Sequence, residues 1–381
     1  MTRPRLILYA LGFLSFLLFG LVQAGYGPAY PNLGREFLQS PTAVGLIASL
    51  HFAGSAVGTL LLGALLTRLS LRSGLTVAAL LLLAGLLGVA LSPAWGLVLA
   101  GAAVSGLGYG MLSAGFNMAF AELGPGPSNL VNGLFGVGSV VSPTLVTLLG
   151  QASHRPPFLL MAVMAAALAL GVRLLWPRPE GQAGVAEPDV PVPAAPDARP
   201  AVAHLPTLAL FGCCFFLYVG IEAGLGNWAT TYLTRLGSGQ AALQTSFYWL
   251  ALTAGRFASA ALGNRVRPMQ VLTFAATGAM LGCLLMLRGL TLAPLGLIVA
   301  GFCIAPIFST QLAWFTRRQP AHLAPYMLTL GSVGGAVLPA VTGVLLPRFG
   351  PASVPGTVFV IAALLLFFAS RVRRVTAAQA A

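Results

Sequence analysis

The sequence predicts an all-α membrane protein of twelve transmembrane helices in two parallel six-helix halves. Three observations predict it. Of 381 residues, 57% are hydrophobic and only 7% charged, with a mean hydropathy of +0.90; a soluble domain carries about 25% charged residues. Apolar runs that meet the bilayer requirement of roughly 20 residues recur twelve times along the chain. Six of them lie on each side of a polar, proline-rich stretch, and the two sets resemble each other. Glycine, at 46 residues, falls mostly inside the apolar runs, where small residues let helices approach closely.

Taken in order, the first six spans are 8–33, 43–67, 75–93, 95–121, 130–150 and 157–176. The first follows Arg3 and Arg5 and ends in small residues, which imitates a signal peptide. Because more apolar helices follow, it reads as the first membrane helix. Residues 177–206 then hold eight prolines and four of the chain's seven acids. That composition cannot bury a core and reads as a flexible, partly extended tether. The expected division is an N-terminal half, 1–176, a linker, 177–205, and a C-terminal half, 206–381. The last six spans are 206–234, 242–264, 270–288, 292–315, 323–347 and 354–371. Pro28, Pro31, Pro143, Pro306 and Pro339 fall inside spans, which membrane helices tolerate better than soluble ones.

Internal similarity supports duplication. "VQAGYG" (22–27) matches "IEAGLG" (221–226) at an offset of 199, and "GVGSVVSP" (136–143) matches "SVGGAVLP" (332–339) at 196. Thr67-Arg68 matches Asn264-Arg265 at 197. An even number of spans per half makes the repeats parallel, and binding near the midplane between such halves is a transporter architecture.

The net charge of +13 comes from 20 basic residues, all arginine. They edge the spans instead of forming a basic face interleaved with aromatics, so nucleic acid is excluded as a partner. With the N-terminus inside, 14 arginines fall on the cytoplasmic side and five outside, with Arg256 within a helix. The positive-inside rule therefore puts both termini in the cytoplasm, with the chain in the plasma (inner) membrane. Cys213, Cys214, Cys283 and Cys303 lie in apolar runs without zinc-ligand spacing, so neither a disulfide framework nor a metal is expected. No catalytic constellation and no cofactor are expected, and a phosphate loop is absent from a sequence that contains no lysine.

Three stretches carry a family resemblance. The loop between spans two and three, "GALLTRLSLRS", is similar to the Gly-x-x-x-Asp-Arg-x-Gly-x-Arg-Arg signature of the major facilitator superfamily, keeping Gly63, Arg68 and Arg72. Thr67, Ser70 and Ser73 stand at its Asp, Gly and final Arg positions, and Asn264-Arg265 is the second-half copy. "GLGYGMLSAGFN" (106–117) and "FFLYVGIEAGLGNWATTYL" resemble that superfamily's fucose-permease-like and sodium-dependent glucose-transporter-like sugar carriers. The matching residues are Gly106, Gly108, Gly110 and Asn117, then Tyr218, Gly220, Glu222, Asn227 and Trp228. The resemblance implies a carrier working by alternating access on a small polar solute such as a sugar. It also implies cytoplasmic gating by Gly63, Arg68, Arg72, Asn264 and Arg265. Proton-using carriers of this group have further acids in helices one and four, where this chain has Gln23 and Ser113.

Glu222 is the acid around which this reading turns. A charged carboxylate at a helix centre costs on the order of +2.5–3.5 kcal/mol, which makes an intramembrane acid functional by default. Desolvation favours its neutral form, so it can couple transport to a proton, or it can accept hydrogen bonds from solute hydroxyls; sodium is the other candidate ion. The structural alternative is an ion pair with Arg256. Counted from the cytoplasmic ends of their helices, the two residues differ by roughly 12 Å in height at ~1.5 Å per residue, which argues against direct contact. Arg256 is then expected to help close the cytoplasmic side or to snorkel to the interface.

Gln23, Tyr26, Asn117, Asn227, Trp228 and Gln311 complete the expected solute site, with His51 either a proton relay or a packing hydrogen-bonder. Two other readings stay open: an efflux antiporter for amphipathic cations held against aromatics, and a non-transporting sensor on the same fold. The expected partners are a small solute and the bilayer, with the chain a monomer.

Overall fold

A computed structural model describes residues 3–176, 204–262, 266–320 and 323–378. The described residues are helical, with no strand. The N-terminal half comprises α1 (Arg3–Glu36), α2 (Pro41–Leu65), α3 (Leu71–Leu91), α4 (Trp95–Glu122), α5 (Pro125–Leu149) and α6 (Arg155–Leu175). The C-terminal half comprises α7 (Leu205–Arg235), α8 (Ala241–Leu262), α9 (Pro268–Met286), α10 (Ala293–Ile304), α11 (Ile307–Thr316), α12 (Ala324–Phe349) and α13 (Ser353–Ala378). Eleven stretches among these residues are long and apolar enough to cross a membrane, with α10 and α11 forming one of them. The twelfth helix, α8, carries Gln244, Thr245, Ser246, Thr253 and Arg256.

Local sequence explains where these helices start and stop. Ser40 and Ser70 cap α2 and α3 by accepting the backbone N–H groups of Ala43 and Ser73, and Pro41 opens α2 where no intrahelical donor is needed. The tenth span departs from expectation. It is two helices, interrupted at Ala305-Pro306, because proline has no N–H for the helical ladder.

Packing repeats between the halves. In the first, α1 packs on α5, α4 on α2 and α3, and α3 on α6; in the second, α7 packs on α12, α10 on α8 and α9, and α9 on α13. A Cβ at Gly138 would lie 2.2 Å from the Leu17 carbonyl, and one at Gly334 would lie 1.9 Å from that of Phe216. Leu17 and Phe216 are 199 residues apart, while Gly138 and Gly334 are 196 apart. These are the two offsets of the matching sequence stretches. On α4, a Cβ at Gly106 or Gly110 would meet the carbonyls of His51 or Ser55 at 2.0 and 2.1 Å, so these motif glycines bring α4 against α2.

The halves meet through α1 on α7, α2 on α12 and α5 on α8. Their polar contacts gather at the face opposite the termini. There Thr42 donates to the Gly343 carbonyl at 2.9 Å, Thr144 and Ser246 share a hydrogen bond of 3.1 Å, and Trp228 stacks on Tyr30 at 5.0 Å. Toward the face that carries the termini, the α2–α12 seam passes Phe52 against Gly335 and then bears the exposed side chains of Val57, Leu60, Tyr326 and Leu330. The bundle is closed at the far face and parted at the terminal face.

Candidate functional site: a buried ion pair between two aromatic walls

Helix arithmetic explains what meets at the centre. Glu222 lies 13 residues from Arg235, the far end of α7, and Arg256 lies 15 residues from Ala241, the far end of α8. At ~1.5 Å per residue the two are within roughly 3 Å of the same height. The short 236–240 connection holds those far ends level. Arg256 Nη2 accordingly donates to both carboxylate oxygens of Glu222, at 3.0 and 3.1 Å.

This overturns the expectation that the two residues are too far apart to pair. Depth counted from the terminal face misleads because the helix ends there are not level. The 31-residue α7 is longer than the membrane requires and its first turns overhang.

Glu222 is further held by the Tyr218 hydroxyl, one turn earlier on α7, which donates to Oε2. The Tyr248 hydroxyl donates to the Glu222 backbone carbonyl at 3.1 Å. The carboxylate side chain is 11% exposed and the guanidinium side chain 35%, so the pair presents its arginine to open space and keeps its acid beneath. Arg256 also sits over the Phe135 ring, 5.7 Å from its centroid, in cation–π geometry. Tyr109 is within electrostatic reach of both charges. Phe135 and Tyr109 each lie 14 residues from the far ends of α5 and α4, level with the pair. The first half thus supplies an aromatic wall and the second half the charges.

One turn nearer the far face, a second polar cluster forms in the first half. Tyr26, His51 and Ser105 each lie ten residues from the far ends of α1, α2 and α4. The Tyr26 hydroxyl meets Ser105 Oγ at 2.8 Å and His51 Nδ1 at 3.3 Å, and His51 Nδ1 meets Ser105 Oγ at 3.0 Å. His51 Nε2 is buried without a partner among the described residues.

The other expected site residues are dispersed. Gln23 is half-buried on α1. Gln311 is buried on α11, with Nε2 donating to the Cys214 carbonyl at 3.4 Å. Asn227 bonds back to the Ala223 carbonyl at 2.9 Å, and its backbone presses on Gly27 of the opposing half. Trp228 donates to the Pro339 carbonyl at 2.9 Å and fills the seam between Gly45 and Gly343. Asn117 is exposed near the terminal end of α4 and bonds to the Ser113 carbonyl.

Of the expected gating residues, Gly63 has open space around it and Arg68 is exposed. Arg72 donates to the Arg173 carbonyl, tying α3 to α6. Asn264, Arg265 and linker residues 177–203 lie outside the described residues. Sequence reasoning did not assign Tyr248, Tyr109 or Phe135 to the site. The available signal was their spacing from the helix ends, which only the observed boundaries make usable.

A twelve-span bundle in two repeated halves, with an ion pair buried at their seam, defines a secondary-carrier type of membrane protein. The chain belongs to the Major Facilitator Superfamily, whose family model matches residues 12–330. It is therefore a transporter, not an enzyme, and a multi-pass membrane protein. A putative glucose/galactose transporter of Helicobacter pylori is 30% identical over 136 residues, 34% of this chain and 33% of that protein; the match spans a third of that relative's length. Among solved structures, the nucleoside transporter NupG aligns with a TM-score of 0.71 at 15% identity, covering 98% of this chain and 99% of NupG. The xylose transporter XylE of E. coli, in a partially occluded inward-open conformation, gives 0.73 at 13%, covering 96% and 97%. FucP, in an outward conformation, gives 0.64 at 18%, covering 96% and 98%. At these identities the likeness is one of fold.

Proposed function

We propose that this transporter moves a sugar of the hexose class by alternating access, with Glu222 as the coupling acid and Arg256 as its switchable partner. The observation that carries this reading is the Glu222–Arg256 pair at the seam, half open on its arginine side and faced by Tyr109 and Phe135. Sugar hydroxyls suit a charged, hydrogen-bonding group, and the apolar face of a pyranose suits an aromatic wall. Protonation of Glu222 would release Arg256 to a solute hydroxyl, which links proton binding to solute binding. The Helicobacter relative's name agrees with this solute class.

The same pair weighs against an amphipathic-cation carrier, because Arg256 neutralises the acid that would attract the cation. In this proposal Gln23 and Gln311 contribute solute hydrogen bonds, and Gly63, Arg68 and Arg72 act at the terminal-side gate. Residues 177–205 tether the halves. The terminal face is cytoplasmic, the membrane is the inner membrane, and the working unit is a monomer.

The test is uptake of a radiolabelled hexose panel into proteoliposomes, with and without an imposed proton gradient. Wild type should concentrate one hexose under the gradient, and Glu222→Gln should lose the gradient-driven component while remaining folded. Normal driven uptake by the variant would refute the coupling role. Failure to move any hexose would refute the solute class.

A further inference from the structure

A concavity of about 690 Å³ lies on the terminal face of the second half, between the start of α9, the end of α11 and the last turns of α13. Its lining includes Arg267, Arg318 and Arg373, with Gln270, Phe274 and Trp314. No carboxylate lines it, and among the described residues none of the three arginines forms an ion pair with an acid. Three uncompensated guanidinium groups around one recess are set up to receive an anion, and Arg is suited to bind phosphate oxygens in a forked, two-point geometry.

The exposed face of α9 tells which anion. Arg267, Gln270, Phe274, Thr277, Leu281, Leu284 and Arg288 are all exposed, at successive spacings of three or four residues. They therefore form one continuous stripe along the helix. Its two arginines are 21 residues apart, roughly 31 Å at ~1.5 Å per residue, which matches a hydrocarbon core of about 30 Å. The stripe is thus an outward, lipid-facing strip with an arginine at each interface. The recess opens at the level of the headgroups, and Phe274, Leu281 and Leu284 continue from it along the acyl region. A soluble anion would use the arginines alone, whereas a phospholipid would use both the arginines and the strip.

We propose that this recess binds the phosphate headgroup of an anionic glycerophospholipid, with Arg267, Arg318 and Arg373 on the phosphate and one acyl chain along the Phe274–Leu284 strip. Basic pockets between transmembrane helices bind anionic headgroups in this manner. The site is separate from the Glu222–Arg256 pair and does not depend on the identity of the transported solute.

The test is native mass spectrometry of the full-length protein in detergent, titrated with phosphatidylglycerol, with phosphatidylcholine or with inorganic phosphate. Wild type should retain one phosphatidylglycerol preferentially over phosphatidylcholine, and millimolar phosphate should not displace it. Arg318→Gln/Arg373→Gln should weaken that adduct by roughly tenfold or more, given about 1 kcal/mol per basic residue near an anionic headgroup. The single variant Arg373→Gln should weaken it by a smaller factor, which keeps the test open if the double variant does not fold. Arg288→Gln, at the opposite end of the strip, should leave it unchanged. Equal phosphatidylglycerol retention by wild type and the folded Arg373→Gln or double variant would overturn the site. Displacement by inorganic phosphate, or equal retention of phosphatidylcholine, would overturn the anionic-lipid assignment.

Discussion

At the residue scale, the unequal exposure of the central pair has a measurable consequence. Arg256→Gln strands a buried carboxylate, whereas Glu222→Gln strands a guanidinium that already reaches open space. Leaving a buried charged group without its partner is the more expensive defect. Arg256→Gln should therefore lower the thermal midpoint in detergent more than Glu222→Gln does, and the double variant should recover part of the loss. A coupling energy of about 0.5–3 kcal/mol from the double-mutant cycle is the expected outcome; additive effects would mean that the pair contributes nothing. Tyr218→Phe removes one donor to Glu222 and should lower stability by about 1.5–3 kcal/mol, the range for hydrogen bonds to charged groups. Glu222 itself was legible in the sequence, because one carboxylate in an apolar run announces itself. Its partner was not, because pairing depends on relative height, and small errors in helix ends shift height by whole turns.

At the element scale, glycines at identical-looking positions differ in what they do. A Cβ at Gly334 or Gly138 would drive into a backbone carbonyl of the neighbouring helix, whereas one at Gly63 would meet nothing within 4 Å. Gly334→Ala and Gly138→Ala should each destabilise by about 1–3 kcal/mol through overpacking. Gly63→Ala should be neutral or stabilising by up to about 1 kcal/mol, from helix propensity alone. Thermal unfolding of the three purified variants distinguishes these cases. Span number, order and most boundaries were legible because hydropathy over some twenty residues averages out local detail. The same averaging hid the interruption at Ala305-Pro306, where one missing N–H decides the outcome. It also hid the role of the α4 glycines, which carry a motif but serve the contact with α2.

At the scale of the whole molecule, the far-face contacts and the parted terminal face describe one end of a rocking cycle. Cysteines at Thr144 and Ser246, whose hydroxyls are 3.1 Å apart, should cross-link across the halves. The link should arrest transport until it is reduced; unimpaired transport by the linked protein would exclude opening at that seam. In a background without the native cysteines, Leu60→Cys and Tyr326→Cys should react with a polar maleimide applied to the terminal face. Replacing 181–202 by a Gly/Ser stretch should leave transport intact if that segment only tethers.

The central charges also have an electrical meaning. Glu222 and Arg256 both belong to the second half, and they cancel. Among the described residues of the first half, every charged side chain lies near a helix end. A rocking step that keeps the pair closed carries no net charge through the membrane field, which acts with about 2.3 kcal/mol per elementary charge per 100 mV. The return of the empty carrier should then proceed at a rate that ignores membrane voltage, leaving voltage sensitivity to the steps in which the pair is opened by a proton or a solute.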